Sequence, residues 1–177
     1  NHGIFTFADD AKTSYNLMIK YVSDAEKAIN KLKRKKIAQV KKLKFKFTAE
    51  DVAPILRGLL SENKDNKFIL NFRKNNKLDY FINGKSVKRY GNEGTATPDH
   101  VIRVKPFPLI IEPKENCSLE EFKKIAIKSF KNYRKKYINY FNTNKKKVKE
   151  KKTILDTSPR VILVQNLGLF SVGSTLS

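Results

Sequence analysis

Only one cysteine, one methionine and no tryptophan occur among the 177 residues. The lone Cys117 excludes an internal disulfide framework and a cysteine-rich zinc finger, agrees with a reducing, cytoplasmic compartment, and reads as a passive residue. No apolar run approaches the roughly 18–20 residues that cross a bilayer. The opening residues lack the basic-then-apolar layout of a secretory leader, so no membrane partner is expected. Acidic side chains are also few, 17 against 38 basic ones, for a formal net charge of +21. Such a surplus suggests phosphate binding, yet arginine, the residue suited to bidentate phosphate and base contacts, supplies only 7 of the basic residues. Lysines spread over nearly every segment, which reads as a solvated surface rather than a nucleic-acid stripe.

What is present reads as an α/β pattern. Residues 3 to 8 are β-branched or aromatic and predict a strand end. Asp9 and Asp10 can cap a following helix, where Ala11, Tyr15, Met18, Val22, Ala25 and Ile29 recur at helical steps, as in a helix packing on a sheet. Lys31 to Lys46 reads as a basic linker or an exposed helix extension. Thr48 with Asp51 caps a short helix over 49–61, with Pro54 in its first turn. Lys67 to Arg73 and Leu78 to Ile82 flank the turn-prone Lys74-Asn75-Asn76 and predict a hairpin or two neighbouring strands. A short helix is expected over Ser86 to Tyr90, then strand-like Val101 to Val104 and Leu109 to Ile111 in a glycine- and proline-rich stretch. Ser118 with Glu121 forms a capping box, and Leu119, Phe122, Ile125, Ala126, Phe130, Tyr133, Tyr137 and Phe141 continue a helical stripe for about six turns. After a basic linker over Lys145 to Lys152, Arg160 to Gln165 is a buried-type strand.

The opening phrase Asn1-His2-Gly3-Ile4-Phe5-Thr6-Phe7-Ala8 returns near the other end as Asn166-Leu167-Gly168-Leu169-Phe170-Ser171-Val172-Gly173. An imidazole on a strand edge beside a glycine suits a metal ligand, an acid/base group or a plain structural histidine. The echo predicts a duplicated unit, one copy of which exchanged His2 for Leu167. The chain opens without a methionine, and both ends read as truncated. Asp99 and His100 could form an oriented general base or fix a turn, supported by Thr95 and Thr97. Gly91-x-x-Gly94 and the spacing of Gly168 and Gly173 complete neither a dinucleotide fingerprint nor a P-loop.

The phrase Asn1 to Phe7, followed by Ala11-Lys12 and Tyr15, resembles the class II aldolase and adducin family. Ala53 to Leu59, Gly94 to Lys105 and Val161 to Gly173 look like the middle of bifunctional members that join a rhamnulose-1-phosphate aldolase to a short-chain dehydrogenase. The resemblance implies an α/β/α sandwich ending over residues 1–30, a linker over 31–47, and a second, degenerate aldolase-like unit over 48–177. It implies that His2 is one of three imidazoles on a catalytic Zn2+, with NAD bound by a dehydrogenase portion beyond this chain. Zinc on neutral imidazoles is a Lewis acid for the oxygens of a ketose. The implied reaction is retro-aldol cleavage of a ketose 1-phosphate to dihydroxyacetone phosphate and lactaldehyde. The implied partners are a phosphorylated sugar and further copies of the chain in a homo-oligomer. A family's His-x-His pair and acidic proton-transfer residue have no match here, so the segment alone is expected to be inactive. A nonenzymatic adducin-like scaffold and a basic nucleic-acid-binding module are the alternatives.

Overall fold

The computed structural model describes residues 3–32, 37–40, 43, 47–61 and 67–175. It divides into two compact units, Asn1–Lys36 and Ile37–Ser177.

In the first unit, Asp10 caps α1 (Ala11–Lys31), its carboxylate accepting from Thr13 N–H at 2.9 Å. Residues 3–8 are extended but form no strand, and fold back on the first helical turn through reciprocal bonds: Thr6 Oγ1 donates to Ser14 O, and Ser14 Oγ to Thr6 O. The stripe expected to pack on a sheet has no sheet among the described residues of its unit. No α1 residue is buried, and Tyr15, Ile19, Val22 and Ile29 are exposed.

The second unit is built on a four-stranded sheet of order β1-β4-β3-β2. Its strands are β1 (Ile69–Arg73), β2 (Leu109–Ile111), β3 (Val161–Val164) and β4 (Gly168–Gly173). β1 with β4 and β3 with β4 are antiparallel; β2 and β3 run parallel, joined through a long helix, as parallel neighbours require a crossover. Period-two alternation divides the strand residues between two faces. Leu109, Ile111, Ile162, Val164, Phe170 and Val172 join the larger core, whereas Ile110, Val161, Leu163 and Leu169 join the smaller one. The larger face is covered by α2 (Ala49–Leu60) and α6 (Leu119–Lys145), the smaller by α3 (Asn76–Ile82) and α4 (Val87–Tyr90). α5 (Pro98–Val104) precedes β2.

Most of α6 follows its predicted stripe: Phe122, Ala126, Phe130, Tyr133 and Tyr137 are buried. Leu119 at its start is exposed, and Ile125 and Phe141 are half-buried. Its capping box is formed, with Glu121 N–H donating to Ser118 Oγ at 3.2 Å and Ser118 N–H to Glu121 Oε2 at 2.7 Å. Ser118→Ala should therefore lower stability by about 1 kcal/mol. Urea unfolding checks this, and an unchanged midpoint would refute the cap's contribution.

Two expected strands are helices. Residues 78–82 belong to α3, since the Asn75 side chain accepts from Leu78 N–H at 2.9 Å and caps a helix instead of turning a hairpin. Leu78 and Ile82, one turn apart, both reach the smaller core. Residues 101–104 belong to α5, started by Thr97 as cap with Pro98 in its first turn, where a missing N–H costs nothing. Pro54 lies inside α2 rather than in its first turn.

Candidate functional site: a lysine-lined cleft at the open sheet edge

β2 is an edge strand. Gln165 N–H donates to Ile111 O at 3.0 Å, so by ladder alternation Ile111 turns its amide groups to β3 and Ile110 turns its own to the open side. The strand is only three residues long and lies between Pro108 and Pro113, which cannot donate to an added strand. Shortness and flanking prolines protect this edge from pairing with another chain.

Along the edge opens a cleft of about 510 Å³, between α6 and α4. Ile125, Lys128, Ser129, Asn132, Tyr133 and Lys136 reach it from α6 at three- and four-residue spacing, beside the helix's buried stripe. Lys88 and Asn92 face them from α4 and its C-terminal turn, and Phe107, Pro108 and Ile110 are apolar members of the lining. Four lysines, 88, 114, 128 and 136, meet one carboxylate, Glu112, which pairs with Lys88. Lys136 Nζ donates to Asn92 Oδ1 at 2.6 Å and stands 4.0 Å from the centre of the Phe107 ring. Burial holds its ammonium below the ordinary lysine pKa. Two other cavities are charged differently. One of about 610 Å³ beside α2 and β1 holds Glu50 and Arg57, and one of about 330 Å³ beside α3 and α4 holds Lys105 as its one charged residue. The chain-wide cation excess is thus not spread evenly over its concave surfaces.

Phe107 and Tyr133, packed edge-on with ring centres 5.5 Å apart, line the cleft and also adjoin a buried charge network. Lys105, 2% exposed, ends α5 with φ +65° and ψ 169°, a region rarely occupied by residues with a Cβ. Its ammonium donates to the carbonyl oxygens of Asp156 and Ser158, lies 3.5 Å from Asp156 Oδ1 and 4.4 Å from the centre of the Tyr137 ring. Arg160 grips both oxygens of Asp156. Burial pulls the Lys105 pKa down to about 8 against the opposing attraction of Asp156. Burial would raise the Asp156 carboxyl, but the Arg160 hydrogen bonds and the Lys105 and Arg160 charges together carry it below its usual value. The Tyr133 hydroxyl is buried without a hydrogen-bond partner among the described residues, and burial raises its pKa. Neither the network nor the cleft was foreseeable from composition. In so lysine-rich a chain nothing local marks Lys105, apart from the proline after it.

His2 lies outside the described residues. Leu167 is a core residue, 6% exposed. It sits in the β3–β4 turn, where Asn166 takes φ +64° and is held by Asn83 Oδ1, which accepts from its backbone N–H at 2.7 Å. Asp99 and His100 fall on α5, not in a turn before a strand. His100 Nδ1 is 2.7 Å from Thr97 Oγ1, a bond along its own first turn, and no bond joins Asp99 to the imidazole. Thr95 Oγ1 donates to Thr97 O, as a supporting loop bond. Cys117 is buried and its thiol pKa is raised by that burial, so it is a poor nucleophile. Gly91 ends α4, and Gly168 and Gly173 bound β4, so neither glycine pair forms a phosphate loop.

The second unit is an α/β domain, consistent with a class II aldolase-like fold. Residues 47–177 match the family described as aldolase class II, second domain, and the chain belongs to that family. It is also similar to a Bacillus subtilis (strain 168) protein named as the uncharacterized oxidoreductase YuxG, at 28% identity over 98% of this chain and 26% of that protein. The chain therefore spans about a quarter of that relative's length. No solved structure matches it. Among the described residues no three His, Cys, Asp or Glu side chains converge to hold a metal ion. No described helix is long and apolar enough to cross a membrane.

Proposed function

We propose that this chain is part of a cytoplasmic, zinc-dependent class II aldolase that works as a homo-oligomer. Residues 1–30 end its metal-bearing aldolase domain, 31–47 link, and 48–177 are a second aldolase-like unit that keeps the fold for packing. The reaction of the whole protein is retro-aldol cleavage of a ketose 1-phosphate such as rhamnulose 1-phosphate. A fused short-chain dehydrogenase using NAD would oxidise the lactaldehyde product. His2 is one zinc ligand, and the others come from outside this chain.

The observation that carries this reading is the family match over residues 47–177, combined with Leu167 in the core at the position where the first copy of the phrase has His2.

The full-length protein should bind about one zinc per chain, as a three-imidazole site does, and lose it on His2→Ala together with aldol cleavage. Metal analysis by atomic absorption checks this. An unchanged zinc content in the variant would sink the role of His2. A protein with neither zinc nor lyase activity would point to the scaffold instead.

A further inference from the structure

We propose that the cleft between α6, α4 and the open edge of β2 is a binding site for a small phosphomonoester, held by Lys128 and Lys136. It stands apart from the zinc reading, because no cleft residue belongs to residues 1–36 and binding there requires no metal.

Three observations converge on it. First, the charges are arranged and not fully neutralised: Lys88 is matched by Glu112, while Lys128 and Lys136 have no carboxylate partner among the described residues. Lys136 is positioned by the neutral oxygen of Asn92 and the face of Phe107, which fix the ammonium without removing its charge. Two ammonium groups lining one concave cleft without a carboxylate partner attract an anion more strongly than either does alone. Second, the α6 stripe places Ser129 and Asn132 beside the lysines, with hydroxyl and amide donors for phosphate oxygens. Third, Phe107, Pro108 and Ile110 supply an apolar surface, and about 510 Å³ exceeds what a bare phosphate fills, so an organic part can be covered. Lysine suits a compact monoester dianion, for which a point charge serves and a planar arginine fork is not needed. The edge is closed to an extended peptide by its prolines and three-residue strand, which leaves a small ligand as the better fit.

The test is calorimetric titration of the full chain, in buffer treated with a chelator, with glycerol 3-phosphate and with inorganic phosphate. Lys128→Gln combined with Lys136→Gln should weaken glycerol 3-phosphate binding about tenfold or more, the loss of two charge-assisted contacts. Lys131→Gln combined with Lys135→Gln removes the same charge from α6 residues outside the cleft and should change binding less than about twofold. Equal loss in both pairs, or no saturable binding, overturns the site in favour of diffuse lysine charge. The ester should bind more tightly than inorganic phosphate. Equal affinities overturn the assignment to an ester, and a single-stranded oligonucleotide that displaces it with the same dependence on Lys128 and Lys136 overturns it in favour of nucleic acid. Lys128→Gln alone, at an exposed helical position, keeps the test open if the double variant folds poorly.

Discussion

Asp156→Ala should cost the second unit about 3 kcal/mol, because it strands two cations at once. Asp156 offers both carboxylate oxygens to Arg160 and lies 3.5 Å from the buried Lys105 ammonium. The loop to β3 thereby loses its anchor on the end of α5. Lys105→Met should be far milder, because a buried charge and its desolvation cost leave together and the methionine fills similar volume. Urea unfolding of both variants, followed by far-UV circular dichroism, measures the difference. Equal costs would show that the network does not act as an ion cluster.

The same residues set a pH dependence whose direction follows from linkage. Lys105 is depressed from its ordinary value to about 8, so between pH 8 and the ordinary lysine value the unfolded chain holds the extra proton. Stability from this group therefore rises with pH across that window, by about 1.4 kcal/mol per unit at most, and the rise is absent in Lys105→Met. Asp156 works in the opposite region. Its folded pKa is lowered, so its contribution is present above the unfolded carboxylate pKa and is lost as pH falls below it. Unfolding midpoints of wild type and Lys105→Met at pH 7, 8 and 9 check the first statement. Parallel curves would refute it.

Gly168→Ala should destabilise by about 3 kcal/mol, or lower the melting temperature by roughly 10 °C in a unit of this size. At φ +155° a Cβ would lie 2.6 Å from the Phe72 ring and 2.9 Å from Arg73 O, where β1 and β4 pair. Backbone strain and overpacking then act together. Gly94→Ala separates the two. Its φ is +107° with nothing within 4 Å of the added carbon, so it should carry the strain alone and cost about 1 kcal/mol. Differential scanning calorimetry of both variants decides it. Similar losses would mean that the Phe72 contact yields freely.

The echo of the opening phrase looks different in this light. Gly3 also has a positive φ, +136°, but open space around it, whereas Gly168 is packed beneath Phe72. The two phrases share a positive φ at the glycine without sharing surroundings. Leu167 and Phe170 are buried in a sheet, while Ile4, Phe5 and Phe7 are exposed in an extended segment paired to no described strand.

Where one local signal dominated, the sequence determined the element. The Ser118 and Glu121 box and the apolar stripe behind it specify α6, because capping and 3.6-residue periodicity act within one helix. The unbroken apolar run Val161 to Val164 specifies β3, and the scarcity of arginine and cysteine is equally a property of the chain itself. Asn75 shows where local reading stops. An asparagine serves a turn and a helix cap equally well, and burial of Leu78 and Ile82 in the smaller core selected the helix. Sheet order, the open edge of β2, and the grouping of Lys88, Lys128 and Lys136 around one cleft were decided only by tertiary structure. The pairing of β1 with β4 joins Ile69 to Gly173, 104 positions apart, and the cleft lysines span 48; in a chain with 38 basic residues no single lysine announces which others it will meet.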